Sequence, residues 1–229
     1  MTAERPTVSR RERLRAQTLQ EIEDVSFAII DADGVHALSI AALARTMAMS
    51  APAVYRYFPS REALITHLVT TSYRQLADAV REAAETSRRT PRTRVRLLVA
   101  AYRDWALRHP RRYGMLFGER AGDAPIELAG VTPLDQAMAA LIDLLTAIPG
   151  SAPATSADRA LDGQLRLWAR SQDRPATSPR AALAAVLIWT RVHGIVSLEL
   201  TGIFGNGTVE AQRLIDAEVD NAIRTMTGV

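Results

Sequence analysis

The stretch Ser39–Arg61, SIAALARTMAMSAPAVYRYFPSR, constrains this chain more than any other. Apolar or small residues at Ile40, Leu43, Ala44 and Met47 recur at i, i+3, i+4 and i+7, the spacing of one helical face. Ser39 stands just before them, where an N-cap hydroxyl satisfies an unpaired helix N–H. Ala48-Met49-Ser50 leaves room only for a tight turn. Ser50 then caps a second short helix, which tolerates Pro52 because the first turn has no intrahelical N–H bond to lose. Val54 and Phe58 fall where they meet Leu43 and Met49, and Ala44 is small enough for a close helix crossing. Pro59 stops the helix and Ser60 caps the next. The segment reads as a helix-turn-helix feeding a longer helix.

This geometry leaves Ala51, Ala53, Tyr55, Arg56 and Tyr57 off the buried side. Such a second helix suits the DNA major groove, its first residues meeting base edges while the preceding helix crosses the backbone. On that reading Ser50, Ala51, Pro52 and Ala53 face the bases. Tyr55 and Tyr57 donate to phosphate oxygens, and Arg56 pairs with phosphate or guanine. Arg61 lies beside a helix N-terminus, which itself favours a phosphate. A plain helical hairpin with surface tyrosines satisfies the same spacing, so spacing leaves both readings open.

Ser39-Ile40-Ala41-Ala42-Leu43-Ala44, Ser50 and the run Ala53–Leu64 together resemble the DNA-binding signature of the TetR family of bacterial transcriptional regulators. The resemblance runs from about Leu14 to Leu68, with turn, aromatic pair and next-helix start in register. It implies backbone contacts to DNA from Ser39, Tyr55, Tyr57 and Arg61. Two positions depart from the pattern. Ala48 replaces the usual turn glycine, so the residue either avoids positive φ or strains the turn. Ala51-Pro52 replaces the usual Lys-Gly, which removes a basic contact and leaves the base-reading pattern unassigned.

The 229 residues suffice for a small head and a larger body. A hydrophobic fraction of 48% with 23% charge is that of a globular chain. Cysteine is absent, which excludes a disulfide framework, a thiolate nucleophile and a zinc–thiolate site. No apolar run approaches the roughly 20 residues that span a bilayer, and no apolar region follows the N-terminal arginines. The expectation is a cytoplasmic protein with no membrane partner. Net charge is only +3, and every basic residue is arginine, so global charge says little about nucleic acid. The cluster Arg5, Arg10, Arg11, Arg13 and Arg15 says more. It reads either as a frayed, solvated terminus or as an arm that follows a DNA backbone.

Taken in order, residues 1–9 read as a basic arm. Arg10 to Asp31 is helical, with Leu14, Thr18, Ile22, Val25 and Ile29 on one side, ended by Gly34. A long helix from Ser60 to about Thr86 buries Leu64, Leu68, Tyr73, Leu76 and Val80. Further helices follow over Arg92–His109 and Arg111–Gly118, the latter exposing Tyr113, Met115, Leu116 and Phe117. Beyond a polar loop at Arg120–Val131, Thr132-Pro133-Leu134-Asp135 starts a helix that stops at Pro149-Gly150. Ser151–Thr155 links to a helix over Ser156–Gln172. Pro179 to about Phe204 is helical and apolar on several sides, ended by Gly205-Asn206-Gly207, and Thr208 to Thr225 is the last helix. The fold expected is all-α, of nine or ten helices. Residues 10–68 form a helix-turn-helix domain and 69–229 an effector-binding and dimerisation domain.

An all-round apolar helix needs neighbours on all sides, so the helices over 179–204 and 208–225 are expected to pair with a second copy in a four-helix bundle. Dimerisation also suits half-sites about 34 Å apart. Trp189-Thr190-Arg191-Val192-His193-Gly194 and Tyr102–Pro110 resemble the effector domain of a Trp-His-Gly subgroup of TetR regulators. With them, Tyr102, Trp105, Met115, Phe117, Leu141, Leu145, Trp168, Trp189 and His193 are candidates to line an apolar small-molecule cavity, and plain core packing is the competing reading. His36, His67, His109 and His193 show no metal-ligand spacing, and no phosphate loop, dinucleotide turn or nucleophile elbow occurs. No cofactor is expected. The function expected is a homodimeric repressor that binds double-stranded operator DNA and releases it on binding a small-molecule effector. The alternative is a helical sequestering protein that binds no operator.

Overall fold

The computed structural model describes residues 9–85, 89–118, 133–149, 159–205 and 209–228. Residues 1–8 of the arm expected over 1–9, the loop 120–131 with its Thr132 cap, the 151–155 linker and the Asn206-Gly207 turn lie outside these. The described residues form helices α1 (Arg10–Asp33), α2 (Ile40–Thr46), α3 (Ala51–Tyr55), α4 (Arg61–Glu85), α5 (Pro91–Arg108), α6 (Pro110–Phe117), α7 (Pro133–Thr146), α8 (Arg159–Ser171), α9 (Pro179–Leu200) and α10 (Ala211–Thr227). A 3-10 turn at Val35–Ala37 joins α1 to α2, and the described residues contain no strand.

The chain divides into two compact units, Met1–Ser72 with His109–Ile126, and Tyr73–Arg108 with Glu127–Val229. The division falls inside α4, at Ser72–Tyr73 rather than the expected 68–69, and it assigns α6 to the first unit. One arginine on α6 reaches α1. Arg112 donates from Nε to the Asp31 carboxylate at 3.0 Å and lies 4.0 Å above the Phe27 ring, both on α1. Tyr113, Met115 and Leu116 on α6 are buried, where the sequence pattern leaves them exposed.

Helix α1 starts with a capping box that periodicity alone does not reveal: Ser9 Oγ accepts from the Glu12 N–H, and the Ser9 N–H donates to the Glu12 carboxylate. Its buried face is Ile22, Ser26, Phe27 and Ile30. Of the expected stripe only Ile22 is fully buried, and Leu14 is 53% exposed.

The link from α2 to α3 is a Schellman motif. The Met49 N–H donates to the Ala44 carbonyl at 2.9 Å and the Ala48 N–H to the Arg45 carbonyl at 3.2 Å, with Ala48 at φ +52°. Ala48 thus occupies the left-handed position that the sequence left undecided. The same closure ends α8 at Asp173, φ +57°, and α9 at Gly202, φ +76°. The α9 closure explains why α9 stops at Leu200, before the expected Phe204.

In the second unit α9 packs with α5, α7, α8 and α10. Ser178 caps α9 by accepting from the Ala181 N–H at 3.2 Å. Three arginines tie the helices together. Arg94 Nε on α5 donates to the Ala84 carbonyl near the end of α4, Arg96 on α5 pairs with Asp220 on α10, and Arg103 on α5 pairs with Glu199 on α9. By length and composition α9 is apolar enough to cross a bilayer, which corrects the reading that no such run exists. Its charges, Arg180, Arg191 and Glu199, leave uncharged stretches of only ten and seven residues, so the apolar window includes Arg191.

A left-handed alanine costs about 1 kcal/mol that glycine does not incur, partly offset by glycine's greater unfolded-state freedom. Ala48→Gly is therefore expected to stabilise the first unit by roughly 0.5–1 kcal/mol, read as a higher urea midpoint at unchanged slope.

Candidate nucleic-acid interface and effector cavity

The first unit places α3 on α2 through its buried residues. Val54 and Leu43 are wholly enclosed, and Phe58 and Ala44 nearly so. What remains outside is the candidate interface. Pro52 and Arg56 are exposed, Tyr55 is 50% exposed, and Ala51, Ala53 and Tyr57 are half-buried. α3 is short, ending at Tyr55, so Arg56 is its C-cap and Tyr57 belongs to the following turn.

The two serines differ. Ser39 Oγ accepts from the Ala42 N–H at 3.1 Å, which caps α2 and leaves the hydroxyl proton to donate outward. Ser50 sits at the N-cap position of α3 in extended backbone, but its side chain makes no cap bond, contrary to the sequence reading. Its carbonyl accepts from the Ala53 N–H at 2.9 Å instead, and the hydroxyl is exposed.

Arg61 was expected at a phosphate. In the structure its Nε donates to the Leu38 carbonyl at 2.6 Å and another guanidinium nitrogen donates to the Val35 carbonyl at 2.9 Å. Two of its five N–H donors are thus spent on the chain itself, fastening the start of α4 to the 3-10 turn before α2. Ser60 Oγ caps α4 by accepting from the Ala63 N–H at 3.1 Å. Arg15, one of the front cluster, lies on α1 with its guanidinium 5.5 Å from the centre of the Tyr57 ring. That stacking puts a positive charge beside the Tyr57 hydroxyl. Sequence spacing gave no register between residues 15 and 57, so this contact was not visible there.

In the second unit an apolar cavity lies between α4, α5, α7 and α9. Leu76 and Val80, Leu98 and Tyr102, Met138 and Leu141, and Ile188 and Trp189 are among the residues that line it from the four helices. Its volume is about 20 Å³, room for one water-sized sphere. Three of the nine candidates, Tyr102, Leu141 and Trp189, line this space. His193 stands behind them, its Nδ1 hydrogen-bonded to the Tyr102 hydroxyl at 2.9 Å and its ring stacked on Trp189. Burial lowers the His193 pKa from 6.5, so the imidazole is held neutral at pH 7. Trp105 and Leu145 are buried without lining the cavity. Trp168 packs instead in a separate cluster with Leu165, Ala169 and Ala182. Met115 and Phe117 lie on α6 of the first unit, where Phe117 meets the Tyr113 ring at 4.9 Å. Met115 and Phe117 fall in the other unit, whereas Trp168 shares the cavity's unit but packs on a different cluster: apolar residues at helical spacing mark a core, and periodicity does not show which part of it surrounds a space. Among the described residues no group of three His, Asp or Glu side chains could hold a metal ion.

A buried short-helix hairpin with an outward tyrosine and arginine, ahead of a separate all-helical unit, defines the class of helix-turn-helix transcriptional regulators. Comparison with known proteins narrows the class. Residues 22–68 match the family described as bacterial regulatory proteins, tetR family, and residues 95–222 match the tetracyclin repressor-like C-terminal domain. The chain is 30% identical over 190 residues to the HTH-type transcriptional regulator Rv1816 of Mycobacterium tuberculosis, covering 75% of this chain and 76% of that one. The solved regulatory-protein candidate SCO4313 is 35% identical and superposes with a TM-score of 0.75 over 93% of this chain and 98% of its own. The TetR regulator PfmR of Thermus thermophilus shares the fold at 16% identity, with a TM-score of 0.57 over 89% of this chain and 97% of its own. The chain belongs to the TetR family of transcriptional regulators.

Because Arg61 bonds two carbonyls, its loss strands both. Arg61→Ala is expected to destabilise the first unit by about 1.5–3 kcal/mol, read as a lower urea midpoint, where a purely DNA-facing arginine would leave stability unchanged.

Proposed function

We propose that the first unit binds double-stranded operator DNA as a homodimer and represses transcription until a small apolar or amphipathic molecule binds the second unit. The observation that carries the DNA reading is the outward set Tyr55, Arg56 and Tyr57, with Arg15 stacked on Tyr57. Tyrosine hydroxyls and arginines are phosphate partners, and they surround a helix of a kind that enters the major groove. Arg61 supports this surface from behind rather than serving as its main phosphate contact. Regulators of this family bind DNA and are not enzymes, and a cytoplasmic location follows from that role.

The effector reading rests on the cavity between α4, α5, α7 and α9. At about 20 Å³ it holds no effector-sized molecule as it stands, so binding requires its walls to move apart. A ligand that favours the opened form shifts the population toward it, and lowers DNA affinity by the same factor by which DNA lowers ligand affinity. α4 gives residues to both units and is the covalent route for that coupling.

The dimer reading rests on α9 and α10. Fewer than half the residues of the apolar window of α9 are buried within the chain, and Leu198 is 44% exposed. A second copy packed against α9 and α10 covers that surface.

Gel shift against the DNA upstream of the protein's own gene tests the operator claim. Tyr57→Phe, which removes only the hydroxyl, should weaken binding about five- to tenfold, and affinity should fall steeply with salt. Unchanged binding would remove Tyr57 from the interface. Leu198→Asp should convert a dimer to a monomer by light scattering while circular dichroism stays helical, and a wild-type monomer would overturn the bundle.

A further inference from the structure

We propose that the effector of the second unit is an uncharged lipophile with one neutral oxygen head, a hydroxyl or a carbonyl, which joins the Tyr102–His193 pair at the wall of the cavity. The inference rests on the effector reading and names the ligand chemistry which that reading leaves open.

None of the described residues that line the space is charged, and among them only Tyr102 and Trp189 carry a side-chain nitrogen or oxygen. These two meet edge to face, with ring centres 5.2 Å apart, and Trp189 stacks on His193 at 5.9 Å. Three rings from α5 and α9 thus hold one corner of an otherwise aliphatic chamber. At that corner the Tyr102 hydroxyl and His193 Nδ1 share one hydrogen bond of 2.9 Å. A neutral imidazole either accepts or donates at Nδ1, according to its tautomer, and a phenol does both. When the phenol donates to Nδ1, its oxygen suits a ligand hydroxyl. When Nδ1–H donates instead, the phenol proton suits a ligand carbonyl. The pair therefore receives either neutral head without gaining or losing charge.

An ion finds no such reception. Carried from water into a carbon-lined space without an opposite charge, it loses hydration that nothing there returns. Arg103, next to Tyr102 in sequence, is paired with Glu199, and Arg191, between Trp189 and His193, is paired with Glu218. Neither arginine lines the cavity, and recruiting one as a counter-ion would break its pair. His193 gives no charge either, since burial lowers its pKa and keeps it neutral at pH 7. A plain hydrocarbon gains the same burial as the proposed effector but not the bond to the pair.

The test measures Kd by calorimetry on the full-length protein at pH 7 for two carbon frames, octyl and naphthyl. Each frame is offered with a methyl, a hydroxyl, a carboxylate or an aminomethyl group. In the frame that binds, the alcohol is expected to be tightest and the hydrocarbon about fivefold weaker, the worth of one hydrogen bond. The anion and the cation should be weaker than the alcohol by about a hundredfold or more. Tyr102→Phe should bind alcohol and hydrocarbon nearly alike, and because that ratio is taken within one variant, a general loss of packing does not imitate it. The proposal is overturned if either ion binds as tightly as the alcohol, if the hydrocarbon matches the alcohol on the wild-type protein, or if Tyr102→Phe keeps the full preference for the hydroxyl. Binding of no member of either frame overturns the effector reading itself, and that result is distinct from the other three.

Discussion

The first unit depends on one guanidinium. α2 is a short helix and α3 shorter still, and neither could persist alone, since helices of that length are marginal in water. Their burial supplies the stability, through Leu43, Ala44, Val54 and Phe58, and Arg61 supplies the register. By bonding the carbonyls of Leu38 and Val35 it joins the residue that opens α4 to the turn that precedes α2. The helix-turn-helix is thereby fastened at both ends, and its outward side chains stand on a fixed base. A hydrogen bond from a charged donor to a carbonyl is stronger than a neutral one. Lysine could not make the same pair of bonds, because its ammonium lacks the planar fork.

Arginine performs this task repeatedly in a chain that has no lysine. Arg112 joins α6 to α1, Arg94 ties α5 to the end of α4, and Arg96 and Arg103 tie α5 to α10 and α9. Arg174 bridges the end of α8 to Asp143 on α7. Counting Arg61, six of the 28 arginines are therefore structural, so the charge offered to a partner depends on where the others lie rather than on the total. The second unit shows the complementary economy. Its cavity is lined by carbon, and the Tyr102 hydroxyl at its edge is already bonded to a neutral imidazole.

Where local rules decide a structure, the residues declared it. The caps at Ser39, Ser60 and Ser178, the buried positions of α2 and α3, and the all-helical class follow from periodicity and cap chemistry. The capping box of Ser9 and Glu12 was equally legible and was missed. The rest depended on distance. Arg61 beside a helix start reads as a phosphate ligand, and only the fold shows that it also bonds two carbonyls. Met115, Phe117 and Trp168 carry the right chemistry for a cavity but lie in other packing environments. Ala48 illustrates the boundary: a Schellman closure is easy to expect after α2, but whether alanine would accept its left-handed position required coordinates.

The central claim is that Tyr55 and Tyr57 form a DNA-facing surface, and the small number of tyrosines makes it directly observable. The chain has five, at positions 55, 57, 73, 102 and 113. Selective isotope labelling of tyrosine would give one ring signal set for each, assigned by single Tyr→Phe variants. On titration with operator duplex, the Tyr55 and Tyr57 signals are expected to move to new positions and saturate, while that of buried Tyr113 in the same unit stays. If Tyr55 and Tyr57 held their free positions at saturating duplex, the surface assigned here would not be the one that meets DNA.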